Sequence, residues 1–162
     1  MPTPADIAVV REEDLDDLLP LMRAYCEFYE VAPSDAALLA MSRALIGDPE
    51  REGMQLVARG PGPTRPAVGF ATLFWTWQTL SASRAAVMND LFVAEHARGT
   101  KIADALIAGC ATAARMHGAP HLTWQTAKDN LRAQAVYDRV GGRASSEWLD
   151  YDLPLGRTIR EG

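Results

Sequence analysis

Six consecutive residues, Arg98-Gly99-Thr100-Lys101-Ile102-Ala103, place one glycine and two basic side chains where an apolar run gives way to a helical pattern. A strand feeding a helix through so tight a loop points several backbone N–H groups at one spot. The helix N-terminus adds a partial positive charge there. That is the chemistry of an anion site, and phosphate is the anion it suits best. A second set follows at helical spacing: Asn130, Ala133, Tyr137 and Gly141. Taken alone, Asn130 reads as a helix N-cap and Tyr137 as a helix residue packed on the core. Asp90, with Asn89 before it, interrupts an otherwise apolar strand. It reads either as a working carboxylate or as a structural hydrogen-bonding group at a strand bulge.

The elements that must hold these residues follow from periodicity. Residues 7–10 form a short apolar strand. Residues 12–29 carry Leu15, Leu18, Leu19, Met22, Tyr25 and Cys26 at near-helical spacing, with Pro20 kinking the helix or splitting it in two. Ser34 is a good cap for a helix over 35–46. Strands are expected at 54–59 and 67–77, joined by the Gly/Pro-rich turn 60–66. The strand 87–93 feeds the loop and a helix over 101–117, with Ile102, Ala105, Leu106 and Cys110 on one face. His117-Gly118-Ala119-Pro120 stops that helix. A fifth strand at 121–126, a helix at 130–140 closed by Gly141-Gly142, and a final strand at 148–153 complete the order. A β-α-β-α-β second half predicts strands flanked by helices on a mixed sheet.

The chain has 162 residues, enough for one domain with a sizeable core, here expected to span 1–162. No apolar run approaches the roughly 20 residues that span a bilayer. The N-terminus lacks a basic region followed by an apolar core, so no secretory signal is expected and the location reads as cytoplasmic. Cys26 and Cys110 have no metal-ligand spacing and read as buried free thiols, and no metal is expected. A net charge of -5 argues against nucleic acid as a partner and is compatible with a cationic substrate.

The loop at Arg98 resembles the R-x-x-G-x-G/A loop of the GNAT superfamily of N-acetyltransferases, with Arg98, Gly99 and Ala103 in register. Lys101 stands where that family most often has glycine. It either shifts the cradle's backbone or adds a cation beside the phosphates. Asn130, Ala133, Tyr137 and Gly141 resemble the family's N-x-x-A-x-x-x-Y-x-x-x-G stretch, and the order of elements is also that of the family. The resemblance implies an α+β (mixed α/β) fold, a mixed, mostly antiparallel twisted sheet of six to seven strands flanked by about four helices. It implies acetyl-CoA as cosubstrate, its pyrophosphate held by Arg98, Gly99, Thr100, Lys101, Ile102 and Ala103. Leu91, Phe92 and Val93 would pair with the pantetheine arm, and Asn130 and Ala133 would border it. Tyr137 would serve as general acid, protonating the departing CoA thiolate, since thiol and phenol basicities lie within about two units.

The acceptor implied is a primary amine, attacking directly in a ternary complex. Such an amine, with a pKa near 10.4, costs about 4.6 kcal/mol to deprotonate at pH 7. The family frequently supplies an acidic residue on the fourth strand. The stretch Met88-Asn89-Asp90-Leu91-Phe92-Val93 resembles the I-E-D-F-F-V strand of diamine and polyamine acetyltransferases, with Asn89 in place of the glutamate and Asp90 retained as the remaining base. The strand from Gly69 to Trp77 and the closing stretch from Glu147 to Leu153 are similar to that subgroup as well. Glu27, Phe28, Tyr29 and Glu30 fall where the family's variable substrate wall sits. With Trp75, Trp77, Asn89 and Asp90 they would make an aromatic and acidic pocket for a cation; the same aromatics read equally as core or dimer contacts. The family is commonly dimeric, so a homodimer is implied, with neither nucleic acid nor membrane as partner. Other readings are an amino acid, aminoglycoside or protein amine as acceptor, or a non-catalytic acyl-CoA sensor on the same fold.

Overall fold

The computed structural model describes residues 6–156; the ends of the expected domain, 1–5 and 157–162, lie outside the described residues. The short apolar run Asp6–Val9 forms β1 and pairs antiparallel with β2 (Gly53–Arg59). The β-branched and aromatic stretch Ala67–Gln78 forms β3, antiparallel to β2 on one side and to β4 (Ser83–Val93) on the other. β5 is only Leu122–Thr123 and lies parallel to β4. The sheet order is β1-β2-β3-β4-β5.

Four helices cover the two faces. On one face lie α1 (Leu15–Phe28) and α2 (Asp35–Gly47), preceded by a 3-10 turn at Glu12–Asp14. Leu18, Leu21 and Met22 of α1 and Leu38 of α2 pack there against Val57 and Phe70 of the sheet. On the other face α3 (Ile102–Met116) sets Ile102, Leu106, Ile107 and Cys110 against Leu56, Ala71, Leu73 and Met88. α4 (Leu131–Arg139) lies beyond β5, with Val136 and Tyr137 packed on the edge of this second core.

Four expectations change. α1 runs through Pro20 as a single helix, so the proline does not split it in two. The buried side chains Leu18, Leu21 and Met22 on either side of the proline offset the hydrogen bond it cannot donate. The fifth strand shrinks to two residues. The stretch 148–153 forms no strand among the described residues, and Trp148, Leu149, Tyr151 and Leu153 stand exposed. β5 is too short an edge to hold another strand, so among the described residues the sheet has five strands rather than six or seven. Cys110 is buried as expected, but Cys26 is only partly so.

α1 ends without glycine. Glu30 takes a left-handed φ of 57°, and the N–H groups of Glu30 and Val31 return to the carbonyls of Glu27 and Cys26. This pair of bonds caps the helix in a Schellman arrangement. It fixes Phe28 and Tyr29 at the rim of the sheet face.

Candidate active site

β3 and β4 fall out of register between Thr72 and Leu73. Thr72 pairs with Asp90 and Leu73 with Met88, leaving Asn89 as the extra residue of a bulge. A bulge re-aims its strand and lets a side chain leave the regular alternation. Asn89 is exposed, and its Nδ2 donates to Asp90 Oδ1 at 3.0 Å. Beyond the bulge β4 parts from β5. The parallel ladder holds only Ala86↔Leu122 and Val87↔Thr123, so the edge of β4 at Leu91, Phe92 and Val93 faces an opening rather than a strand. On its other side β4 is held close to β3: a Cβ on Gly69 would lie 2.8 Å from the Phe92 carbonyl oxygen.

The loop after β4 is built to gather N–H groups. Arg98 Nε donates to Val93 O at 2.9 Å, and Thr100 Oγ1 donates to Ala97 O at 2.5 Å, folding the loop over the end of the strand. Gly99 (φ 80°) and Lys101 (φ 63°) both take left-handed conformations. Lys101 therefore adopts the backbone that glycine favours, so it does not shift the cradle. The Ala105 N–H is bonded to Lys101 O. The N–H groups at the start of α3, from Ile102 through Asp104, precede that bond and have no acceptor within the helix. With the helix dipole they form a basket for anionic oxygens.

α4 closes the other side. Asn130 Oδ1 accepts from Ala133 N at 3.1 Å, so Asn130 is the N-cap, with its amide N–H groups left to donate elsewhere. Tyr137 packs on Trp124, ring centroids 5.3 Å apart. Burial raises its phenol above the ordinary value, and Tyr29 nearby adds to the rise, so it stays protonated well past neutral pH. Arg139 ties α4 to the first turn of α3 through two bonds to the Asp104 carboxylate, at 2.8 and 2.6 Å.

These elements converge. A groove of about 360 Å³ is lined by Phe28, Tyr29, Ala127, Asp129 and Asn130, between the end of α1 and the start of α4. Tyr25, one turn before Tyr29 on α1, lies within electrostatic reach of Asp90, Tyr29 and Tyr137. Burial, then Asp90, raises its phenol well above the ordinary range. The same two causes push up the Cys26 thiol. The chain has thus brought a carboxylate, three phenols and an N–H basket to one end of the sheet, beside a split between two parallel strands. A long ligand with an anionic end can lie in that split, and its reactive end would meet Tyr137 and Asp90.

A family model described as the acetyltransferase (GNAT) family matches residues 18–142. The chain belongs to this family. Over 148 residues it is 29% identical to the uncharacterized N-acetyltransferase YhfO of Bacillus subtilis (strain 168), covering 91% of this chain and 96% of that one. The crystal structure of a probable acetyltransferase superposes with a TM-score of 0.82 at 30% identity, covering 94% of this chain and 99% of the other. At 20% identity the fold is shared with the aminoglycoside N-acetyltransferase AAC(6')-Iy, solved in complex with CoA (TM-score 0.77; 94% and 98% covered). This chain is an acetyltransferase that draws on acetyl-CoA.

Several residues singled out in the acetyltransferase's sequence do not join the cluster. Trp75 is 7% exposed in the core under α3, stacked on His117 with centroids 4.1 Å apart, and its Nε1 donates to Pro49 O at 2.7 Å. Trp77 is 67% exposed, under the Arg84 guanidinium at 4.3 Å. It sits five residues beyond Thr72 toward the hairpin end, about 17 Å along β3 from the Asp90 register position. Neither tryptophan belongs to an acceptor pocket at Asp90. Glu27 and Glu30 are exposed at the end of α1. Tyr25, which periodicity assigns to the core, was the residue missed. Its spacing of four from Tyr29 puts both phenols on one helix face, and that was the available signal.

Proposed function

We propose that this acetyltransferase acts on a primary amine of a small cationic molecule, a diamine or polyamine being the preferred class, by direct attack in a ternary complex. The observation that carries this reading is the pairing of Tyr25 and Tyr29, ring centroids 5.1 Å apart and within electrostatic reach of Asp90 and Tyr137, beside a groove walled by Phe28, Tyr29 and Asp129. Aromatic faces and carboxylates suit an ammonium group. Arg98 to Ala103 hold the pyrophosphate of acetyl-CoA, the β4 edge at Leu91–Val93 pairs with its pantetheine arm, and Asn130 and Ala133 border that arm. Acetyl-CoA supplies the thioester carbonyl. Asp90, through water, takes the proton of the ammonium. The freed amine nitrogen bonds to the carbonyl carbon as the C–S bond breaks, Tyr137 gives its proton to the leaving sulfur, and the second proton shed by the acylated nitrogen passes through water to restore the phenol. A homodimer in the cytoplasm is part of the same proposal, and light scattering on the purified protein reads the first.

The test is thiol release with a panel of diamines, polyamines, amino acids and aminoglycosides. Tyr137→Phe is expected to lower kcat about a hundredfold or more while leaving CoA affinity intact. An unchanged kcat would remove Tyr137 from the chemistry. Turnover of amino acids alone would move the acceptor to another class.

A further inference from the structure

The Asp90 carboxylate has more around it than a base needs if it were placed by its strand alone. On the sheet face beneath α1, two cross-strand pairs run side by side: Phe70 opposite Phe92, and Thr72 opposite Asp90. Tyr25 stands over the first pair. Its ring meets Phe70 edge-on at 5.8 Å, Phe92 at 6.2 Å and Tyr29 at 5.1 Å. Three rings therefore fix the plane of Tyr25 over the Phe70–Phe92 pair, next to the Thr72–Asp90 pair on the same face and within electrostatic reach of Asp90. Asn89 Nδ2 holds Asp90 Oδ1 from the bulge side, at 3.0 Å. Below lies Thr72, fully buried, whose Oγ1 accepts from Gln55 Nε2 at 3.2 Å.

We propose that Tyr25 is a positioning residue for the reaction: its phenol donates to the Asp90 carboxylate and holds it turned toward the acceptor amine. This rests on the reading of Asp90 as the base. α1 would then serve two purposes on successive turns, Tyr25 setting the base and Phe28 and Tyr29 walling the acceptor. A phenol does this better than an aliphatic hydroxyl, because three ring contacts fix the donor's direction before any substrate arrives.

The experiment is a double-mutant cycle of Tyr25→Phe and Asp90→Asn, read in two ways. Tyr25→Phe keeps the ring and its packing and removes only the donor. In urea unfolding, a hydrogen bond to a charged acceptor predicts coupling of about tenfold or more in the unfolding constant between the two changes. Additive effects would overturn the contact whatever the enzyme does. In turnover, Tyr25→Phe is expected to lower kcat about tenfold with the KM for acetyl-CoA unchanged, and to have no further effect once Asp90 is Asn. A Tyr25→Phe enzyme with wild-type kcat beside a slow Asp90→Asn enzyme would overturn the positioning role and leave Asp90 as base. An Asp90→Asn enzyme with wild-type kcat would overturn both the base and the need to position it, while the unfolding cycle would still report the bond.

Discussion

At the scale of single residues, Lys101 separates backbone from charge. Its φ of 63° places an L-residue where glycine sits without cost, at a penalty on the order of 1 kcal/mol. Lys101→Gly is expected to leave stability unchanged or raise it by up to about 1 kcal/mol, read by urea unfolding. The same change removes a cation beside the proposed phosphate cradle. CoA affinity is expected to fall about two- to fivefold at low salt and to recover at high salt. A large loss of stability would mean that the lysine side chain, rather than the loop's shape, holds the cradle. The phenols of Tyr25 and Tyr137 give a second effect at this scale. Both are raised in the folded protein. Their contribution to stability is full below the ordinary phenol value near 10 and is lost as pH climbs through the raised folded values. Unfolding at rising alkaline pH should therefore steepen above about pH 10, and Tyr25→Phe should flatten the slope.

At the scale of elements, α3 and α4 are two walls of one site, joined by Arg139 and Asp104. The guanidinium holds the Asp104 carboxyl below its ordinary value. The stability this pair contributes is present above about pH 4 and lost as pH falls through the depressed folded value. Asp104→Asn is expected to weaken acetyl-CoA binding severalfold at neutral pH, and its stability deficit against the wild type should shrink toward pH 3. Equal deficits at both pH values would show that the pair is only a surface contact. The positions of α3 and α4 were legible in the sequence because loop, cap and stop are local: Gly99, Asn130 and Gly141 act on their own neighbours. The bulge was legible as an interruption at Asn89-Asp90. The failures were non-local. Periodicity marks Tyr25 as apolar, and only the register of Phe70, Phe92 and Asp90 across two strands places a carboxylate beside its ring. Trp75 reads equally as a pocket aromatic or a core residue until α3 covers its face of the sheet and places it in the core. The final strand failed for the same reason, since a strand needs an edge to pair with and β5 offers two residues.

At the scale of the whole molecule, the sheet carries a separate core on each face, one under α1 and α2 and one under α3. β4 contributes to both, with Met88 on one side and Phe92 on the other. It is also the strand with an open edge beyond Val87. A ligand lying along that edge, anchored at the start of α3 and touching α4, would add a bridge between elements that the chain itself joins through Arg139–Asp104 and through Val136 and Tyr137 packed on the second core. It would bind only the folded protein, because the unfolded chain has neither the split nor the N–H basket. Ligand at one hundred times its Kd then adds about 2.7 kcal/mol. For a chain of this length that is a rise in Tm of about 5–11 °C. Thermal unfolding with acetyl-CoA should show Tm climbing with the logarithm of ligand concentration, and Tyr137→Phe should climb equally, since it removes a proton donor and not an anchor. Replacing Arg98 with Ala should flatten the climb, because its Nε bond to Val93 O holds the loop to the end of β4. A Tm indifferent to millimolar acetyl-CoA would deny the split its ligand, and a climb preserved without Arg98 would move the anchor to the N–H groups of α3 alone.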